Sequence, residues 1–144
     1  MADHSKDIRL FHRAADQRLL AAEFLFDNGF DLDAVYLAGY AVECALKALI
    51  LKRTPRGEFV AMLERVTHVG AKGHDFEYLK TLLKTQMRGK NKPDLDILGA
   101  LAIQLKEVIS WSTDMRYQVG TMKPKEARQF MTAARAIRTW CARS

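Results

Sequence analysis

Cysteine, proline and glycine are scarce in this chain of 144 residues, which holds two, three and eight of them respectively. Two cysteines, Cys44 and Cys141, exclude the disulfide-dense secreted classes. Both lie among apolar residues at helical spacing, where a lone thiol behaves as a small hydrophobe. So little proline and glycine, without a period, excludes collagenous and low-complexity chains. Strand signals are missing as well, because no run alternates apolar and polar residues between hairpin dipeptides. The first twenty residues carry charge at every turn and no uninterrupted apolar stretch. No secretory signal is therefore expected, and the cytoplasm is the expected compartment.

Forty-nine per cent of the side chains are hydrophobic and 28% are charged. A chain of this length and composition is expected to form one domain over residues 1–144, burying roughly 70% of its extended surface without a metal or disulfide staple. The most apolar window, Ala34 to Leu51, is long enough to cross a bilayer. Glu43 and Lys47 in its middle are costly in hydrocarbon, so it is read as the central helix of a bundle and no membrane partner is expected.

Apolar residues recur at three and four nearly throughout, which predicts an all-α, up-and-down bundle of four to five helices. The first runs from about Ser5 to Asp27 and stops at Asn28-Gly29, and the second runs from an Asp31 cap to Lys52 ahead of Thr54-Pro55. A short helix is expected over Glu58 to Val66. The stretch His68-Val69-Gly70-Ala71-Lys72-Gly73 reads as a mobile loop, with Asp75 capping the next helix to Met87. After the polar link Arg88 to Lys92, a helix runs from Pro93 to Trp111. A break over Ser112 to Thr121 separates it from the last helix, started by Pro124.

Net charge is +6 and unevenly placed: −3 over residues 1–51, +6 over 52–92, −2 over 93–122 and +5 over 123–144. On the last helix Lys125, Arg128, Arg135 and Arg138 share one face, opposite Phe130, Ile137 and Trp140. Such a face is either solvated or a track for an RNA backbone.

Two groups of residues suggest a site. On the second helix Tyr36, Tyr40, Glu43 and Lys47 fall within about 60° of one another at 100° per residue. They form either an ordinary helix edge with a Glu-to-Lys pair or the lining of a polar cleft or subunit seam. At the break, Asp114, Arg116 and Tyr117 lie outside regular helix. An arginine fork beside a tyrosine suits a phosphate or carboxylate, or else braces the loop by bonding Asp114 or Glu43. No cofactor or metal site is predicted. His4 and His12 lie about 80° apart around their helix, and His68 and His74 have no cysteine nearby.

Three strings carry a resemblance: Ala34-x-Tyr36-Leu37-Ala38-x-Tyr40-Ala41-Val42-Glu43-x-Ala45-Leu46-Lys47-Ala48-Leu49, then Gly73-His74-Asp75-x-x-x-x-Leu79, then Trp111-x-x-x-Met115-Arg116-Tyr117. Together they resemble the HEPN domain superfamily, small helical bundles often paired with nucleotidyltransferases. The resemblance implies a homodimer and a cleft that takes a nucleotide, RNA or a nucleotidyltransferase partner. Its catalytic members are metal-independent ribonucleases that use an arginine followed, after four to six intervening residues, by a histidine. Arg116 matches the arginine, whereas the last histidine of the chain is His74. The resemblance therefore points to the non-catalytic branch. A toxin-like ribonuclease using Lys123 or Tyr117 in the histidine's place is the first alternative, and a dimeric interaction scaffold without ligand is the second.

Overall fold

A computed structural model describes residues 4–67, 73–87, 92–108 and 110–144. Residues 68–72 of the expected glycine-rich loop and 88–91 of the polar link lie outside the described residues. Helix α1 (Ser5–Asp27) and helix α2 (Asp31–Arg53) form an antiparallel hairpin. Gly29, at φ +85°, provides the left-handed residue between them. The N–H of Gly29 donates to the Phe26 carbonyl (3.1 Å) and that of Phe30 to the Leu25 carbonyl (2.9 Å), satisfying the carbonyls that α1 leaves open. Asp31 does not cap α2. Phe30 holds the cap position without a side-chain bond, and Asp31 and Asp33 occupy the first turn, where a carboxylate faces the positive end of the helix dipole. At the other end Thr54 is extended ahead of Pro55, and its hydroxyl donates to the Ile50 carbonyl (2.6 Å).

A 3-10 turn at Arg56–Glu58 leads into α3 (Phe59–Thr67), which buries Phe59, Met62 and Val66 from one face. Helix α4 (Phe76–Met87) is capped by Asp75, whose Oδ1 accepts from the N–H groups of Glu77 (2.9 Å) and Tyr78 (3.4 Å). Helix α5 (Lys92–Val108) is followed by a 3-10 helix, Thr113–Tyr117, and by α6 (Pro124–Arg143), which starts on proline. The described residues thus hold six α-helices against the four to five expected. The sixth is the short helix expected over Glu58 to Val66, which forms as α3 because its apolar residues at 59, 62 and 66 give it a face of its own to bury.

Helix α2 is the axis of the bundle: α1, α3, α4, α6 and the 3-10 helix all pack on it. Its residues from Ala45 to Leu51 are buried without interruption. That environment explains an apolar segment with no solvent side. By length and composition α2 is able to cross a membrane, yet 78% of its most apolar window is buried inside the bundle.

Candidate functional site

The stripe Tyr36, Tyr40, Glu43 and Lys47 lies on α2 where α4 and the 3-10 helix approach it. Glu43 and Lys47 form the expected pair, with Nζ 2.8 Å from Oε2, but the side chains are only 7% and 6% exposed. This is a buried ion pair and not a solvated helix edge. The second carboxylate oxygen is also used: Glu43 Oε1 lies 2.6 Å from His74 Nδ1. An ionised carboxylate only accepts, so Nδ1 carries the proton and Nε2 is left for another partner. The His74 side chain is 42% exposed, which opens this network to solvent on one side.

Aromatic rings build the rest. The Tyr36 and Tyr40 hydroxyls are 3.2 Å apart. The Tyr40 ring stands edge-on to His74 at 6.0 Å and edge-on to Trp111 at 5.0 Å. Burial first, and then the bond to Tyr36, push the Tyr40 phenol up to about 12, so it remains a donor. Trp111 stacks on Phe76 at 5.2 Å and donates its indole N–H to the Tyr36 carbonyl (3.0 Å), fastening the end of the α5 segment to α2.

Arg116 lies in the 3-10 helix with its guanidinium 4.8 Å from the centre of the exposed Tyr117 ring. Tyr117, and beyond it Tyr36 and Tyr40, hold its pKa above the ordinary arginine value. Among the described residues no carboxylate lies within ion-pair distance of Arg116. The loop-bracing bond to Asp114 or Glu43 does not form. Glu43 has both oxygens engaged by Lys47 and His74, and Asp114 is exposed, its backbone N–H held by the Ser112 hydroxyl (3.1 Å). The expected cleft therefore divides in two. Glu43 and Lys47 join His74, while Arg116 and Tyr117 sit beside the tyrosine pair.

His74 is the residue that spacing arguments missed, because Glu43 lies 31 positions away on another helix. The Gly73-His74-Asp75 string was the only signal pointing to it. Its Asp75 caps α4 and so fixes where the preceding imidazole sits. Lys123, at the N-cap of α6, and Tyr117 are both exposed and neither touches this network. Of the other histidines, His68 lies outside the described residues, His4 stacks on Phe59 at 4.0 Å, and burial, then Lys52, push His12 below its ordinary value.

The basic face of α6 is only partly free. Arg135 bonds Glu23 and Arg138 bonds Asp16, tying α6 to α1. Lys125 and Arg128 remain exposed without an ion-pair partner among the described residues. An uninterrupted cationic track is thus reduced to its N-terminal half by acidic residues of α1 that periodicity within α6 could not reveal.

The model of the HEPN domain family matches residues 8–144. The chain belongs to the HEPN domain family. No curated protein and no solved structure matches it. In the HEPN pattern the positions open to the catalytic histidine after Arg116 are 121 to 123, and Thr121, Met122 and Lys123 fill them. HEPN domains are generally related to nucleotides and RNA.

Proposed function

We propose that this HEPN domain is a binding module for a nucleotide or RNA, held through a phosphate at Arg116, and that it does not cleave what it binds. One observation carries this reading: Arg116 is exposed, lies over the Tyr117 ring and, among the described residues, has no carboxylate within ion-pair distance, while Tyr36 and Tyr40 act on it electrostatically. An exposed guanidinium fork matches a phosphate in charge and geometry. Tyr117, exposed beside it, is placed to stack on a base. The exposed Lys125 and Arg128 add positive charge at the start of α6. Isothermal titration of the full chain with a mononucleotide and with short single-stranded RNA tests this. Arg116→Ala is expected to weaken both ligands at least about tenfold, the loss of one charge-assisted contact. Equal affinity for wild type and variant would refute the assignment.

A second reading also has a specific observation behind it. His74, oriented by Glu43 with Nε2 free, is arranged as general bases are, and Tyr40 joins it to the neighbourhood of Arg116. The protein would then be a metal-independent ribonuclease in which His74, not Lys123 or Tyr117, replaces the missing histidine. Cleavage of RNA lost in both His74→Ala and Arg116→Ala would establish it.

A further inference from the structure

A slot of about 300 Å³ opens beside the segment that carries Arg116, between the end of α5, the 3-10 helix and α6. Its walls include Met115, Met122 and Phe130, and its edge carries the carboxylates of Glu107 and Glu126 with the amide of Gln129. The volume is at the lower end of small-ligand pockets, enough for one flat ring. Two thioethers and an aromatic ring offer polarisable surfaces for such a ring to lie on. Among the described residues the side chains of Glu107, Glu126 and Gln129 make no hydrogen bond or ion pair, so the polar groups at the edge are unspent. Met115 directly precedes Arg116 in the same 3-10 helix, and Trp111, another wall of the slot, packs against Tyr36 and Tyr40, so the slot borders the segment that carries the guanidinium.

We infer that this slot is the nucleobase subsite of the Arg116 phosphate site and that it selects guanine over uracil. The inference rests on Arg116 being the phosphate ligand. An ionised carboxylate accepts and never donates. Guanine presents two adjacent N–H donors, at N1 and N2, that one carboxylate takes in parallel. Adenine and cytosine present a single amino group, and uracil presents one N–H between two carbonyl oxygens that a carboxylate repels. The site thus ranks guanine first and uracil last. A site built to receive donors penalises a base that lacks them, because its own polar groups are then left unpaired.

Titration calorimetry of the full chain with GMP, UMP, guanosine and inorganic phosphate tests the inference. GMP is expected to bind at least about tenfold more tightly than UMP, the worth of one added charge-assisted hydrogen bond. Glu107 and Glu126 are exposed, so Glu107→Gln and Glu126→Gln leave folding intact. At least one is expected to bring GMP down to the UMP level without moving inorganic phosphate. Equal affinity for GMP and UMP in the wild type, with both still lost in Arg116→Ala, overturns the base subsite and keeps the phosphate site. Guanosine binding that Glu126→Gln or Glu107→Gln weakens, with GMP and inorganic phosphate unmoved by Arg116→Ala, supports the slot and removes the phosphate reading beneath it. Failure of every compound to bind overturns both.

Discussion

Trp111 occupies the space that a side chain at position 39 would need. A Cβ built on Gly39 would come within 2.0 Å of Trp111 Cε2 and Nε1, far inside van der Waals contact. The glycine lets the indole lie directly on the α2 backbone, from where its N–H reaches the Tyr36 carbonyl. The position of the break that carries Arg116 therefore depends on the absence of a methyl group on α2.

Gly39→Ala is accordingly expected to destabilise the fold by about 1 to 3 kcal/mol or more, despite alanine's higher helix propensity, because overpacking outweighs it. Urea unfolding followed by circular dichroism measures this. The same substitution in a Trp111→Ala background should be neutral or stabilising, since the cavity then receives the methyl group. Additive costs in the double variant would show that the contact is not the cause.

The buried pair on α2 leads to a second expectation. Lys47→Met strands a buried carboxylate and Glu43→Met a buried ammonium, each costing about 3 to 5 kcal/mol when desolvation is complete and less here, where His74 opens the network to solvent. The double variant Glu43→Met/Lys47→Met should lose clearly less than the sum, because neither charge is left behind. His74→Ala should couple to Glu43→Ala for the same reason, whereas Arg116→Ala should add independently to Glu43→Ala in unfolding experiments. Strong coupling between Glu43 and Arg116 would contradict the division of the site.

Catalysis is expected to be absent. Labelled single-stranded RNA incubated with the purified chain should remain at background with or without EDTA, since no imidazole stands at positions 121 to 123 to move a proton there. Cleavage abolished by Arg116→Ala would overturn this, and its response to His74→Ala would show whether the Glu43-held imidazole is responsible.

Assembly is expected to use α1 and the hairpin. Leu20 and Phe24, four residues apart and so on one face, are 71% and 69% exposed, and Phe30 at the turn is 56% exposed. Burying such a patch against its copy in a dimer is the simplest closed solution. Light scattering at tens of micromolar should give a dimer, and Phe24→Glu a folded monomer. A wild-type monomer would remove the proposal.

The thiols should be silent at neutral pH. Burial first, with Glu43 adding to it, pushes Cys44 up to about 11, and burial alone pushes Cys141 to about 12. At pH 8 a pKa near 11 leaves on the order of 0.1% thiolate, so a disulfide reagent should modify the native chain slowly and the urea-unfolded chain quickly. Above the ordinary thiol value of 9.0 the unfolded chain gives up protons that the folded chain keeps. Stability should therefore fall as pH climbs past 9, and Cys141→Ala should flatten that fall. Rapid native labelling of both cysteines would contradict their burial.

The sequence by itself determined the helices, because their causes are local. Apolar spacing of three and four, Gly29 as the left-handed stop, Thr54 ahead of Pro55, Asp75 as a cap and Pro124 at a first turn each act within a few residues. It also placed Glu43 and Lys47 one turn apart on one edge of α2, since a helix brings such residues together wherever it lies. Only the tertiary structure decided what that edge meets. His74 closes on Glu43 from 31 residues away, Trp111 crosses to Tyr36 from 75 away, and Glu23 and Asp16 neutralise Arg135 and Arg138 from the far end of the chain. Hydrogen bonds and ion pairs act over a few ångströms, so their partners follow from how α1, α4 and α6 pack around α2 and not from distance along the chain.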